Sequence, residues 1–552
     1  MTLWRWILGR SAADDERRAL AAESALIAAA TAKASNTELE REQVRVGGRR
    51  DALAIGERVG AARPLYAALD EMLTHMLVLG ASGSGKSFFM LLLAMAAYAV
   101  GIPIVIIDPK GELAEILLEL LLPAFLSRLP TSARAAFLAS IRVLDPFGSA
   151  ALPPLNPLVR DPSIPIEVQA MDVASSFDAS VDAGSGIRMD TLLDWVLRLV
   201  IEVDGSFLTV RRVFESLPLL EALVRQSRER DVVSYFLTRY PSEPASSKLA
   251  LLARLDRLLA LPATRLSLGA QTCIDFDETL RSGITIVNLG NAPAGLTEVA
   301  SFWSTLVFTR LVRAIYRRPA TGVGVSPAIV LIDEWQSCLT RPFASSMEDV
   351  LARARSRRVA LWLCNQQKAQ IEKVSGALWD IVTGQTTNQA LFRATIEDAR
   401  AMRHVLPVTG TMRRPQPAPW ARQQSVEPYL TASEETEARV VEVARLPNRI
   451  AYWWDRRKPH PAVQFRTADL TLPDPSRVPA ALRDAVCKGA VAVPIADLER
   501  QHDAETRRLD RLARGAAPAA TSAPISSPAT PPPPAAPPKR KRRKPAPGGL
   551  PW

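Results

Sequence analysis

Cysteine and histidine are both rare in this chain, four of each in 552 residues. Cys273, Cys338, Cys364 and Cys487 lie far apart with no CxxC pair. That spacing excludes a thiolate-held zinc module and a disulfide scaffold, and it suits a reducing compartment. His75, His404, His460 and His502 show no metal-ligand spacing. A secretory leader is also lacking, because Leu3-Trp4-Arg5-Trp6-Ile7-Leu8 is too short for an apolar leader core and is broken by Arg5. Long apolar runs are nearly absent. Phe88 to Ile107 carries no charge and matches the ~20 residues of a membrane span. However, Gly101-Ile102-Pro103 divides it into a helix and a short β-branched strand. No transmembrane segment is therefore expected.

A hydrophobic fraction of 48% excludes disorder throughout, and the length suggests about two to four folded units. Lys+Arg 68 against Asp+Glu 57 gives a net charge of +11. The run Lys539-Arg540-Lys541-Arg542-Arg543-Lys544 supplies six of those charges. A solvated tail and a contact with nucleic acid or anionic lipid both fit such a run.

From His75 onward, short apolar runs alternate with longer helical stretches. Met76–Leu79, Ile104–Ile107, Arg142–Leu144, Ile284–Leu289, Ile329–Ile332 and Ala360–Cys364 are expected strands, in a parallel sheet covered on both faces. Between Pro153 and Leu266 the strand signal disappears. Thr191–Ile201 and Leu249–Leu259 have helical periodicity, with Leu249, Leu252, Leu255 and Leu259 on one face. The resulting plan is α/β. It has an N-terminal helical extension over 1–60 (helical from about Asp15 to Lys33) and an α/β core over 61–158 and 265–410. An all-α insertion occupies 159–264. A C-terminal part of the core spans 411–475, containing Pro415, Pro417 and Pro419 and a small β segment at Ile450–Trp454. A helical stretch follows over 476–514, and then a disordered Pro-rich basic tail over 515–552.

Gly80-Ala81-Ser82-Gly83-Ser84-Gly85-Lys86-Ser87 fits GxxxxGK[ST] between a strand and an apolar helix. Its glycines turn backbone N–H groups toward phosphates and the helix N-terminus adds its dipole. Lys86 neutralises the outer phosphates and Ser87 offers a hydroxyl to Mg2+. ATP and Mg2+ are thus the expected ligands. The apolar run Ala328–Ile332 ends in Asp333-Glu334. Asp333 is placed to hold the metal and Glu334 to polarise the attacking water, which favours hydrolysis over binding alone. A third strand ends in Asn365-Gln366-Gln367, where Gln366 is assigned as γ-phosphate sensor. Arg353-Ala354-Arg355-Ser356-Arg357-Arg358 precedes that strand, and either an arginine finger acting across a subunit boundary or a solvated basic face fits it.

Taken together, these motifs resemble those of type IV coupling proteins, the ATPases of bacterial conjugation and type IV secretion. The most specific match is Ile107-Asp108-Pro109-Lys110-Gly111-Glu112. Leu155-Asn156-Pro157-Leu158, Arg281–Gly290, Asp333-Glu334, Ala354–Arg357, Gln366…Gln370, Arg445-Leu446-Pro447 and Ile450-Ala451-Tyr452-Trp453 follow in the family's order. The resemblance spans roughly residues 60–470. It implies a RecA-like ATPase core and Arg355 as the finger, and it places Asp108, Lys110 and Glu112 at the nucleotide edge, with fold support as the alternative for those three. It further implies a homo-hexamer, DNA contacts largely indifferent to sequence, and a relaxase or secreted protein as cargo. Type IV secretion channel components would be its partners, at the cytoplasmic face of the inner membrane. Most members begin with membrane-spanning helices, and none is legible here, so a membrane-anchored partner is implied. Leu3-Trp4-Arg5-Trp6-Ile7 reads as a surface anchor or as an ordinary helix end. Two other readings remain: a soluble DNA translocase or helicase of the HerA/FtsK-like group, and an ATP-switched cargo receptor or adaptor.

Overall fold

The computed structural model describes residues 52–61, 63–148, 151–178, 187–293, 295–320, 325–338, 347–413, 429–458, 462–468 and 472–515. The helix expected near the N-terminus, the Trp-containing segment, the prolines at 415–419 and the basic run at 539–544 lie outside these residues.

The described residues form thirteen strands: β1 Ala52–Arg58, β2 Pro64–Ala68, β3 Met76–Leu79, β4 Ile104–Asp108, β5 Ile141–Leu144, β6 Ala151–Leu152, β7 Ile284–Asn288, β8 Ala328–Asp333, β9 Val359–Asn365, β10 Asn388–Leu391, β11 Ile450–Asp455, β12 Val463–Arg466 and β13 Val493–Pro494. Eleven of them form one sheet in the order β2-β1-β12-β11-β10-β3-β9-β8-β4-β7-β5. From β10 to β5 every pairing is parallel. The remaining pairings, β10–β11, β11–β12, β12–β1 and β1–β2, are antiparallel. This is a RecA-like α/β core. All six strands expected from their apolar runs are present within a residue or two.

Side chains along a strand alternate between faces, and here each face has its own core. Val105 and Ile107 of β4 join Leu77, Leu79, Val330, Ile332, Leu361 and Leu363 on one face. Ile104 and Ile106 join Met76, Val78, Ile329, Leu331 and Trp362 on the other. The second face is covered by the helix Lys86–Ala99, whose Phe89 packs on Phe392 and Phe465 with ring centroids 5.5 and 5.4 Å apart. The uncharged stretch Phe88–Ile107 is thus this helix plus β4, separated by Gly101 at φ +88°. Among the described residues, no helix is long and apolar enough to cross a membrane.

The first face continues into the all-α insertion without a break, since Val196, Val200, Phe207 and Leu255 belong to the same core as the sheet. Asn156, buried at the root of the insertion, donates from Nδ2 to the carbonyls of Ala270 (2.9 Å) and Gly205 (3.3 Å). The C-terminal helix Ile495–Gly515 returns to the same place. β13 pairs with β6, Leu498 packs with Leu152 and Leu266, and Glu505 accepts from Thr209 Oγ1 at 2.8 Å. Arg212 pairs with Asp510.

Three details differ from the sequence reading. The end of the expected N-terminal helical extension is strand β1, which pairs with β2 and β12. β10 has no apolar run to announce it. In the helix Ala245–Leu258 the buried face is Leu251, Leu255 and Leu258, whereas Leu249 is 65% exposed. The helix packs against the insertion on one stripe, and Leu249 falls outside it.

His75, at the start of β3, ties the helix Met347–Ser356 to β9. Its Nδ1 accepts from the Leu361 N–H (3.0 Å), so Nε2–H donates to the Leu351 carbonyl (2.7 Å). Burial lowers its pKa to about 4 from the ordinary 6.5. Above pH 6.5 the neutral ring holds in both folded and unfolded chains. As pH falls toward 4 only the unfolded chain takes up the proton, so stability is lost, on the order of 3 kcal/mol in total. Denaturant titrations between pH 7 and 4 are expected to show this loss in the wild type and a clearly smaller one in His75→Gln. Equal slopes would overturn the assignment.

Candidate nucleotide-binding site

In parallel sheets, ligands gather where strands end and helices begin. The registers Leu391↔Leu79, Leu79↔Asn365, Asp333↔Cys364 and Asp108↔Asn288 align the ends of β10, β3, β9, β8, β4 and β7 along one edge. Most of the residues singled out in the sequence lie on that edge.

The glycine-rich loop leaves β3 and enters the helix at Lys86. Gly83 and Gly85 sit at φ +70° and +100°, a region that only glycine occupies without cost. Three different segments hold the loop. The Gly80 N–H donates to the Asn365 carbonyl (3.2 Å), and Ala81 N–H donates to the Arg393 carbonyl (2.7 Å). The Ser84 carbonyl accepts from the Arg449 N–H (2.7 Å). Space is short as well, because a Cβ on Gly80 would stand 2.6 Å from Phe392 Cβ. Ser82 and Gly83 are exposed at the tip, Ser84 is buried and Ser87 is half-buried.

Lys86 is only 5% exposed. Burial alone would lower its pKa, but Cys364, Asp333, Glu334 and Glu112 outweigh that effect and raise it. Asp333, at the end of β8, is 2% exposed, and its Oδ1 has no hydrogen-bond partner among the described residues. Burial raises its pKa and Glu334 adds to the rise, against the pull of Lys86. Glu334 is 4% exposed and sits at φ +48°. Its Oε1 accepts from Lys110 Nζ (2.9 Å) and its Oε2 from Gln336 Nε2 (3.0 Å).

Asp108 is fully buried, and both carboxylate oxygens accept backbone N–H groups. Lys110 (3.1 Å) and Gly111 (2.9 Å) donate to Oδ1; Leu113 (2.7 Å) and Ala114 (2.9 Å) donate to Oδ2. Burial pushes its pKa up to about 6 in spite of these amides, with Asp333 adding to the rise. Glu112 is exposed at the start of the next helix.

Gln366 is half-buried just past β9. The neighbouring Asn365 is fully buried and donates from Nδ2 to Gln336 Oε1, while its Oδ1 has no partner. Arg355 is exposed in the helix Met347–Ser356, which ends just before β9 begins. It lies at the strand starts near His75, on the opposite edge from the phosphate loop of its own chain.

Sequence reading missed three members of the site. Asn365 stood in the quoted triplet but was passed over for Gln366. Gln336 follows the acidic pair closely enough to have been flagged. Arg449 gave no local signal, since its place on the loop depends on β11 and β12 folding back.

Among the described residues, Ser84 Oγ, Asp333 Oδ1 and Asn365 Oδ1 are buried without a hydrogen-bond partner, on the same strand-end edge as the buried Lys86 and the carboxylates that raise its pKa. Such a set fits a magnesium nucleotide, which offers oxygens to the donors and a divalent charge to the acids.

Residues 53–302 match the family model described as Helicase HerA, central domain. No curated protein matches the chain. Among solved structures it is similar to VirB4 of Thermoanaerobacter pseudethanolicus, at 13% identity and TM-score 0.48, covering 76% of this chain and 96% of that one. It is also similar to the bacterial conjugative coupling protein TrwBdeltaN70, at 15% identity and TM-score 0.47, covering 76% and 89%. A third is the plasmid coupling protein TrwB in complex with ADP and Mg2+, at 15% identity and TM-score 0.45, covering 77% and 91%.

Gly85→Ala would place a Cβ 2.9 Å from Arg449 Cγ at a left-handed φ, a strain of about 1–3 kcal/mol. The variant is expected to melt lower and to bind a fluorescent adenine nucleotide more weakly in anisotropy titrations. Unchanged melting and affinity would mean that Arg449 does not brace the loop.

Proposed function

We propose that this chain is a P-loop ATPase of the coupling-protein kind, which hydrolyses ATP to drive DNA, or a DNA–relaxase or protein cargo, toward a type IV secretion channel. The observation that carries the hydrolytic part is the buried grouping of Lys86, Asp333 and Glu334 beside the phosphate loop. In this reading the loop N–H groups and Lys86 hold the phosphates, while Ser87 and Asp333 hold Mg2+. Bound there, Mg2+ would supply positive charge to the phosphate oxygens. Glu334 takes the proton of the attacking water.

Asp108 acts through the backbone. By fixing four amides it sets the turn that aims Lys110 at Glu334, and Glu112 lends negative charge near Lys86. Asn365 or Gln366 reports the γ-phosphate to β9. Arg355, on the far edge of its own sheet, serves a neighbour's site in a hexamer. The coupling of hydrolysis to DNA rests on the motif resemblance led by Asp108–Glu112 and on the HerA family model. Contacts to DNA would be mostly to phosphate. The protein would work at the cytoplasmic face of the inner membrane with an anchored partner.

The HerA match favours a second reading, a DNA translocase with no secretion channel. Membrane fractionation beside the genetic neighbours separates the two.

Steady-state ATP turnover with and without single- and double-stranded DNA tests the motor. Turnover stimulated by DNA and abolished in Lys86→Ala is expected. Turnover indifferent to DNA would move the assignment to an ATP-switched cargo receptor, and turnover surviving Lys86→Ala would overturn the site. For the finger, Arg355→Ala and Glu334→Gln subunits are expected to be inactive alone, each below about a hundredth of wild type. Mixed in equal amounts they should recover measurable turnover. No recovery would place Arg355 outside the site.

A further inference from the structure

Both carboxylate oxygens of Glu334 are engaged within the chain, one by Lys110 and one by Gln336. The two partners differ in kind. Gln336, itself half-buried, leads into the core: its Oε1 accepts from the Nδ2 of the fully buried Asn365, and the Asn365 carbonyl accepts the Gly80 N–H of the phosphate loop. That line connects the phosphate loop to the acidic strand end through uncharged amides. Lys110 stands on the other side, on the turn fixed by Asp108, with its side chain 40% exposed against 5% for Glu334. A lysine so exposed can leave its partner at small cost, whereas the amide line cannot move without orphaning buried groups.

We propose that Lys110 is a latch on Glu334 and that Gln336 and Asn365 are its positioning residues. This rests on the hydrolytic reading above. While Lys110 is paired, the Glu334 oxygen facing it has one lone pair fewer to offer a water. The ammonium also repels the proton that the water must give up. When Lys110 swings out into solvent, Glu334 is released but does not drift, because Gln336, Asn365 and the Gly80 N–H keep it in register with the phosphate loop. The φ of +48° at Glu334 fits a residue held by its surroundings rather than by its own backbone preference. Hydrolysis of bound nucleotide is thereby kept slow for as long as the pair holds.

Two measurements test the latch. The first needs no turnover: the amine-labelling rate of Lys110 in nucleotide-free protein, followed by mass spectrometry. It is expected to rise in Glu334→Gln over the wild type, and equal rates would overturn the pairing. The second splits KM from kcat. Lys110→Met is expected to raise DNA-free kcat about twofold to fivefold, the range that a half-exposed ion pair contributes to a barrier. The KM for ATP should stay within about twofold, because a latch that leaves the phosphate loop intact changes the barrier more than binding. Lys110→Arg, which keeps the charge, should return kcat to near wild type. A several-fold rise in KM with a lower kcat would make Lys110 a phosphate ligand and overturn the latch, as would an unchanged kcat. A wild-type protein without any turnover would overturn the hydrolytic reading and the latch together, which sets that failure apart from the others.

Discussion

Charge crowding at the strand ends is the constraint to which the surrounding structure answers. Asp108, Asp333 and Glu334 are all buried, and the neighbouring ammonium groups are Lys86, itself buried, and Lys110, which is half-exposed. In a poorly screened interior, like charges at such separations repel strongly and each must be answered locally. Asp108 is answered by four amides, Glu334 by Lys110 and Gln336, and Lys86 by the acids around it. Asp333 alone keeps a partnerless oxygen among the three. The fold is therefore arranged to hold a dense electrostatic set, whose chemistry fits a magnesium nucleotide.

The phosphate loop has no rigidity of its own, since its glycines occupy conformations available to few other residues. Its shape comes from Asn365, Arg393 and Arg449, which belong to three separate stretches of the chain. Two of these follow parallel strands, and the third stands at the start of β11 in the antiparallel extension. The extension is thus part of how the loop is held, in addition to closing the sheet edge.

Much of the core was legible because central parallel strands are buried on both faces and read as unbroken apolar runs. Ile104–Asp108 and Ala328–Asp333 are such runs, and their terminal acids stood out at once. The same rule hid β10. Asn388 and Gln389 look like turn residues, yet both are fully buried and hydrogen-bonded, Asn388 to the Glu71 carbonyl and Gln389 to Thr383 and Thr386. A polar strand satisfied from outside its own segment leaves no local trace. β1 was obscured in another way, by the Ala- and Arg-rich composition of the residues before it. At the site, motif spacing located Lys86, Asp333 and Glu334, while the choice between Asn365 and Gln366 turned on one residue of register, which the pleat decides and composition does not.

Asn156 and the C-terminal helix hold the root of the all-α insertion from two sides. One grips the points where the chain enters and leaves, and the other crosses its surface through Arg212–Asp510 and Thr209–Glu505. Mechanically this makes the insertion a beam clamped at its base rather than a pendulum on a hinge. A small rotation of the strand ends would then reach the far end of the insertion as a larger displacement, in proportion to the beam's length.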